Sequence, residues 1–178
     1  SLVSDGAAAL VLVADELAAS MPQAVRLRAA EQVSDYLPMS QRDLTAFDGP
    51  REAIRRAYAA AGVGVKDLDL AEVHDCFTIA ELMIYEAMGL AEPGQGARLL
   101  DDGTVMRGGA LPVNLSGGLK AKGHPVGATG VSMHVMVARQ LTGQAGEMQL
   151  PDADLGLVFN MGGSGVACYA SILEGRHA

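Results

Sequence analysis

The stretch GGLKAKGHPVGATG, residues 117–130, sets five glycines and one proline around a single histidine, His124. Glycine belongs where backbone must turn sharply or approach another group closely, and it weakens regular structure. Such a run fits a loop that lets a ligand come close. It also fits a tight strand-to-helix turn in which the histidine is incidental. The flanks point to an α/β arrangement. PVNLSG before the run reads as a short strand. ATGVSMHVMVARQLTG reads as a helix capped by Thr129 and ended at Gly143.

Outward from this run the pattern repeats. AALVLVA (8–14) is a continuous apolar stretch suited to a strand covered on both faces. DELAASMPQ reads as a short helix ending near Pro22, and AVRLRAAEQVSD as a second strand. GPREAIRRAYAAAG opens with proline in a first helical turn and closes at Gly62. VKDLDLAEVHD is a strand running into His74 and Asp75, and FTIAELMIYEAMGL has helical spacing up to Gly89. Residues 91–112, glycine-rich with two prolines, read as a long loop. DLGLVFNMGG and GVACYASILE are two closing strands. The order β-α-β-α-β-α-β-β predicts an α/β fold with a mixed, mostly parallel five-stranded sheet, helices on both faces and an antiparallel edge. SDGAAALVLVADE near the start echoes GSGVACYASILE near the end. The echo fits a chain holding the last strand of one half and all of a second, similar half.

Composition narrows the function classes. With 178 residues, 49% apolar and 19% charged, the chain suits one domain, with or without an appendage, and a sizeable core. A formal charge of −8 argues against a nucleic-acid partner, though not against a small anion in a local basic pocket. Two cysteines, Cys76 and Cys168, without metal-type spacing imply a reducing, cytoplasmic setting and no disulfide framework. The first residues lack a basic leader, and their apolar run is too short to cross a bilayer, so no membrane partner is expected. A strand this close to the start needs neighbours, so the sequence reads as the later part of a longer protein.

Three polar positions follow apolar strands: His74–Asp75–Cys76, His124 and Asn160. Ligands of open α/β sheets sit at the carboxyl ends of strands. A cysteine among histidines suggests thiol and proton-transfer chemistry. Cys168, inside a late strand, reads as a small buried hydrophobe. His134, on a helix without an acidic neighbour, and His177, in the tail, read as structural or solvated. No metal is expected from His74, Asp75, Cys76 and His124, because successive strand residues point to opposite faces. A phosphate loop lacks its residue order.

VHDCF, NLSGGLKAKGHPVGATG and NMGGSGVA, in this order and spacing, resemble the second half of the thiolase superfamily. VSDGAAALVLV resembles the strand closing the first half, and HDCF is the variant of the sterol-carrier-protein-type thiolases. The resemblance implies a duplicated β-α-β-α-β-α-β-β fold. Residues 1–22 would be a terminal strand and connection from the first half, and 23–178 the C-terminal domain. It implies that His124 activates the nucleophilic cysteine and contributes to an oxyanion site. His74 would polarise the other thioester oxygen, directly or through water. Cys76 would be the acid/base cysteine, its pKa brought near neutrality by surrounding histidines. Asn160 stands where commoner thiolases carry that cysteine, and Gly123, Gly127 and Gly162 would lie along the substrate.

The implied substrate is a coenzyme A thioester in lipid metabolism, with no further cofactor. The nucleophilic cysteine would lie in the first half, so this chain alone would be an inactive part of an acyltransferase. The implied partners are acyl-CoA, an N-terminal half or second chain, further copies in a homo-oligomer, and a small partner protein. Two alternatives remain: a retro-aldol lyase acting on β-hydroxyacyl-CoA, and a non-catalytic subunit completing another thiolase chain.

Overall fold

The computed structural model describes residues 1–175; residues 176–178, His177 among them, lie outside the described part. The strands are β1 (Val25–Ser34), β2 (Leu70–Val73), β3 (Leu155–Gly162) and β4 (Ala167–Gly175). The helices are α1 (Asp15–Ala18), α2 (Asp48–Ala61), α3 (Thr78–Ala87), α4 (Arg98–Asp101), α5 (Gly118–Lys122) and α6 (Thr129–Leu141). The sheet has the order β1-β4-β3-β2. β1 pairs with β4 and β4 with β3 antiparallel, while β3 and β2 run parallel.

The α/β class and the mixed sheet are as the sequence implies, with two differences of detail. Four strands form ladders rather than five, and two of the three ladders are antiparallel. PVNLSG contributes only one parallel bridge, Ala71 to Val113. The chain leaves that bridge at once because Asn114 adopts a left-handed φ of 53°.

Alternation along the strands sorts side chains into two cores. Leu155, Leu157, Phe159 and Met161 of β3, with Cys168, Ala170 and Ile172 of β4, pack with α2 and α3. Leu70, Val158 and Leu173 point the other way, onto Met133, Val137 and Leu141 of α6. The sheet is therefore covered on both faces. In α2, Ala53, Ile54, Ala57 and Ala61 form the buried stripe, and Gly62 ends the helix at φ 67° with its N–H returned to Ala59 and Tyr58.

The apolar run 8–14 forms no strand. Leu10, Val11, Leu12 and Val13 are all exposed, Val11 to 86%. The physical reason is that among the described residues no ladder partner lies beside them, and a strand is stable only through its neighbours. The arm reaches the rest of the chain nearer its start. Val3 bridges to His124, Ser4 N–H donates to the His124 carbonyl at 3.4 Å, and His124 N–H donates to Ser4 Oγ at 2.8 Å.

Candidate active site

The site begins with a carboxylate in an apolar strand. Glu72 of β2 is buried, and its oxygens accept from Ser116 N–H at 3.1 Å and Ser116 Oγ–H at 2.7 Å. Lys122 Nζ lies 3.6 Å away. Burial pushes the Glu72 carboxyl upward; Ser116 and Lys122 oppose that shift. One residue on, Val73 N–H donates to Asn114 Oδ1 at 2.8 Å, and Asn114 Nδ2 donates to Glu81 at 2.9 Å. Then Asp75, past the strand end, accepts the Leu119 N–H at the start of α5, with its two oxygens at 2.9 and 3.1 Å. Three polar tethers thus dock residues 114–122 on the end of β2. The segment carrying His124 is fastened to the segment carrying His74.

The two imidazoles meet edge to face, with ring centroids 5.0 Å apart and planes at 78°. His74 Nδ1 donates to Asn160 Oδ1 at 2.7 Å. Asn160 lies within β3 rather than after it, on the face opposite Phe159 and Met161. Helix α6 presses close there: a Cβ on Gly130 would sit 2.9 Å from Asn160 Nδ2. His124 Nδ1 lies 2.8 Å from Thr129 Oγ1, which also bonds the Pro125 carbonyl at 3.0 Å. Thr129 is therefore not the cap of α6 that its position suggests. Ala128 occupies the cap position, and the Thr129 side chain holds the histidine. Both imidazoles titrate below the ordinary histidine range, chiefly through burial. At His74 the Asn160 bond opposes that shift, and at both rings Asp75 opposes it while Lys122 reinforces it.

Cys76 stands apart from this pair. It precedes the first turn of α3, its carbonyl accepts from Ser1 N at 2.9 Å, and its side chain packs against the α2–α3 core. The thiol forms no hydrogen bond with either imidazole among the described residues. Burial pushes its pKa up, with backbone N–H groups of Phe77 and of its own residue opposing. The histidines do not draw this thiol towards neutrality. Gly123 takes φ 84° beside Ser4, while a Cβ at Gly127 or Gly162 would meet nothing within 4 Å. The structure thus joins His74, His124 and Asn160 directly, with Cys76 two residues along the chain from His74.

Sequence reasoning passed over Glu72, Asn114 and Ser116, took Thr129 for a helix cap, and noted Asp75 at a strand end without giving it a role. One signal was available: a carboxylate inside an apolar strand needs partners, and the polar VNLSG segment supplies them. The remaining candidates have structural roles. His134 bonds the Gly130 carbonyl at 2.7 Å and Ser171 Oγ at 3.1 Å. Cys168 is fully buried, donates to the Gly165 carbonyl at 3.2 Å, and has its pKa pushed up to about 12 by burial. Among the described residues no group of three or more His, Cys, Asp or Glu could hold a metal ion. No described helix is long and apolar enough to cross a membrane.

Known proteins share this arrangement of segments. The chain is 41% identical over 167 residues to an acetyl-CoA acetyltransferase of Methanothermobacter thermautotrophicus, covering 93% of this chain and 44% of the relative. It is 41% identical over 172 residues to the sterol carrier protein 2 of Oryctolagus cuniculus, covering 92% of this chain and 31% of that protein. The chain thus spans less than half the length of these relatives. Among solved structures, the Ltp2-ChsH2(DUF35) aldolase superposes with a TM-score of 0.76 at 25% identity, over 86% of this chain and 40% of that one. Residues 30–175, from β1 through the docked histidine segment to the end of β4, match the thiolase C-terminal domain-like family. The chain belongs to that family.

Proposed function

We propose that this chain supplies the C-terminal, proton-handling part of an acyl-CoA thiolase. The observation that carries the reading is the His74–His124 pair, docked ring to ring at 5.0 Å and tied to Asn160 and Thr129. In the reaction, a cysteine of the first half attacks the acyl-CoA carbonyl, expels coenzyme A and holds the acyl group as a thioester. His124 takes the proton of that cysteine and passes it to the departing coenzyme A thiolate. Cys76 then removes the α-proton of a second acyl-CoA. The carbanion attacks the acyl-enzyme carbon, a carbon–carbon bond forms, and the first-half cysteine leaves. His74 donates its Nδ1 proton to Asn160, so its neutral Nε2 is an acceptor. It would polarise a thioester oxygen through a water that donates one proton to Nε2 and the other to that oxygen.

Cys76, with its pKa raised by burial in this chain, would need a closer imidazole or a more polar surround in the assembled site. The same reading assigns residues 1–22 to the first half and 23–178 to the C-terminal domain. It takes acyl-CoA as substrate with no further cofactor, and a homo-oligomer in the cytoplasm as the working form. Support comes from the family match beginning at residue 30 and from two unpaired cysteines.

The test is complementation with a first-half polypeptide carrying the nucleophilic cysteine, using acetoacetyl-CoA and coenzyme A. Mass spectrometry should find the acyl group on the first-half cysteine. In single turnovers, Cys76→Ser should slow the carbon–carbon step by about 10²–10⁴-fold while acylation persists. Acylation of Cys76, or equal loss of both steps, would overturn the assignment. A second reading, a retro-aldol lyase acting on β-hydroxyacyl-CoA with a small partner protein, is favoured by the aldolase fold neighbour and by the elevated thiol. Cleavage of a β-hydroxyacyl-CoA without any acyl-enzyme would select it.

A further inference from the structure

We infer that Asp75 is a positioning residue: its carboxylate docks the 114–124 segment onto the end of β2 and thereby sets the spacing of His74 and His124. The inference rests on the proposed pairing of these imidazoles in one site, and it assigns a task to the charged residue of His-Asp-Cys-Phe, which the proposed chemistry leaves idle. Three observations carry it.

Both Asp75 oxygens lie within hydrogen-bond distance of Leu119 N–H, at 2.9 and 3.1 Å, across 44 residues of sequence. The residue before, Gly118, has φ 63°, and a Cβ there would run into the Asp75 carboxylate. The glycine is thus the socket for the aspartate, which explains one of the five glycines of the opening run by a protein contact rather than by substrate. Finally, Asp75 follows His74 directly, while Leu119 lies five residues before His124 on the short helix α5 and its turn. The bond therefore closes a small ring of chain around the two imidazoles.

The neighbouring tethers cannot substitute for it. Asn114 and Ser116 bind upstream, at Val73 and Glu72, before the chain turns into α5. The Lys122 ammonium reaches Glu72 only at 3.6 Å. Ser116 Oγ also accepts the Gly118 N–H, at 3.3 Å, but from within the same segment; among the described residues Asp75 is the side chain beyond the β2 end that holds the α5 backbone directly. A carboxylate accepting a backbone N–H makes a charge-assisted bond, roughly twice as strong as a neutral one.

The experiment is NMR on the 178-residue chain, reading Leu119 and His124 amide exchange, ring contacts between His74 and His124, and the titration of both imidazoles. Asp75→Ala should raise exchange at Leu119 and His124 and abolish the ring contact. Gly118→Ala should do the same with the carboxylate still present, because its Cβ evicts it. Asp75→Asn keeps an acceptor oxygen and should retain the ring contact. With the charge gone, both imidazoles should titrate lower still, since Asp75 raises them against burial while Lys122 lowers them. An aspartate that did not dock the segment would give no such separation between Asn and Ala.

An unchanged Leu119 amide and ring contact in Asp75→Ala would overturn the inference. So would an unchanged ring contact in Gly118→Ala. If Asp75→Ala does not fold, Gly118→Ala and Asp75→Asn decide the matter. These readouts need no turnover, so the docking role can stand even if the completed enzyme shows no thiolase activity, and can fail even if it does.

Discussion

Residues 8–14 and 167–175 are written in nearly the same pattern, small residues and an apolar run followed by an acid, yet they have opposite fates. The later stretch is β4, central in the sheet, with Cys168, Ala170 and Ile172 fully buried. The earlier one is irregular and exposed. Their composition does not explain the difference; their neighbours do. β4 pairs with β1 on one side and β3 on the other, so its backbone groups are satisfied and its side chains meet α2. Residues 8–14 have no such flanks among the described residues. The lesson is that apolar strand propensity is a statement about fitting a half-buried, paired surface, and is idle without one.

The largest expected effect breaks or confirms this contrast directly. Ile172→Ala should cost about 2–5 kcal/mol in urea unfolding, as large-to-small changes in packed cores do. Leu12→Ala should stay within about 0.5 kcal/mol, as at other exposed sites. Comparable losses for the two would show that the arm has found a partner surface. Assembly with a first half should sharpen the test: Leu12→Ala should then become costly if residues 8–14 join a second sheet.

A smaller effect concerns acid, and bears on the point where the arm meets the sheet. His74 and His124 have folded pKa values held below the unfolded value near 6.5, chiefly by burial. Above that value both states carry neutral rings, and the contribution to stability is complete. As pH falls through the folded values, the unfolded chain takes up protons first, so stability declines. Urea midpoints measured from pH 7.5 to 5 should fall, and replacing both histidines with asparagine should flatten the decline. A wild-type midpoint that rises over this range would contradict the burial of the pair.

The smallest effect is local. Ser4→Ala removes the acceptor of the His124 N–H and should weaken the arm's attachment by about 0.5–1.5 kcal/mol. Hydrogen exchange should rise at His124 but remain unchanged along residues 168–174. Loss of protection in β4 as well would mean that the arm and the sheet open together.

Much of the fold was legible because local rules and tertiary packing agree. The two closing strands, the helix carrying GPREAIRRAYAAAG and its stop at Gly62 all appear as read. PVNLSG was misread as a full strand because its strand propensity is real, but Asn114 adopts a left-handed conformation after a single bridge and directs its side chain to Val73. Of the site, His74 and Asn160 were legible from their places after apolar runs, and His124 from the glycine run around it, although that run forms helix α5 and not a strand. Glu72, Asp75 and Thr129 were not, since their roles depend on partners 44, 44 and 5 residues away. Even Thr129, close in sequence, was ambiguous, because a threonine at a helix start serves equally as a cap.

By itself the sequence determined the family, the α/β class, the longer helices α2, α3 and α6, and the strand that leads into His74 and Asp75. These depend on short-range spacing, turn chemistry and side-chain period, all written along the chain. Tertiary structure alone decided which apolar run becomes a strand, and that two loops are fastened so that His74 and His124 face each other. It also decided that Cys76 sits against the core instead of between them. Each of these outcomes depends on a partner distant in sequence, and hydrogen bonding and burial take their values only when that partner is in place.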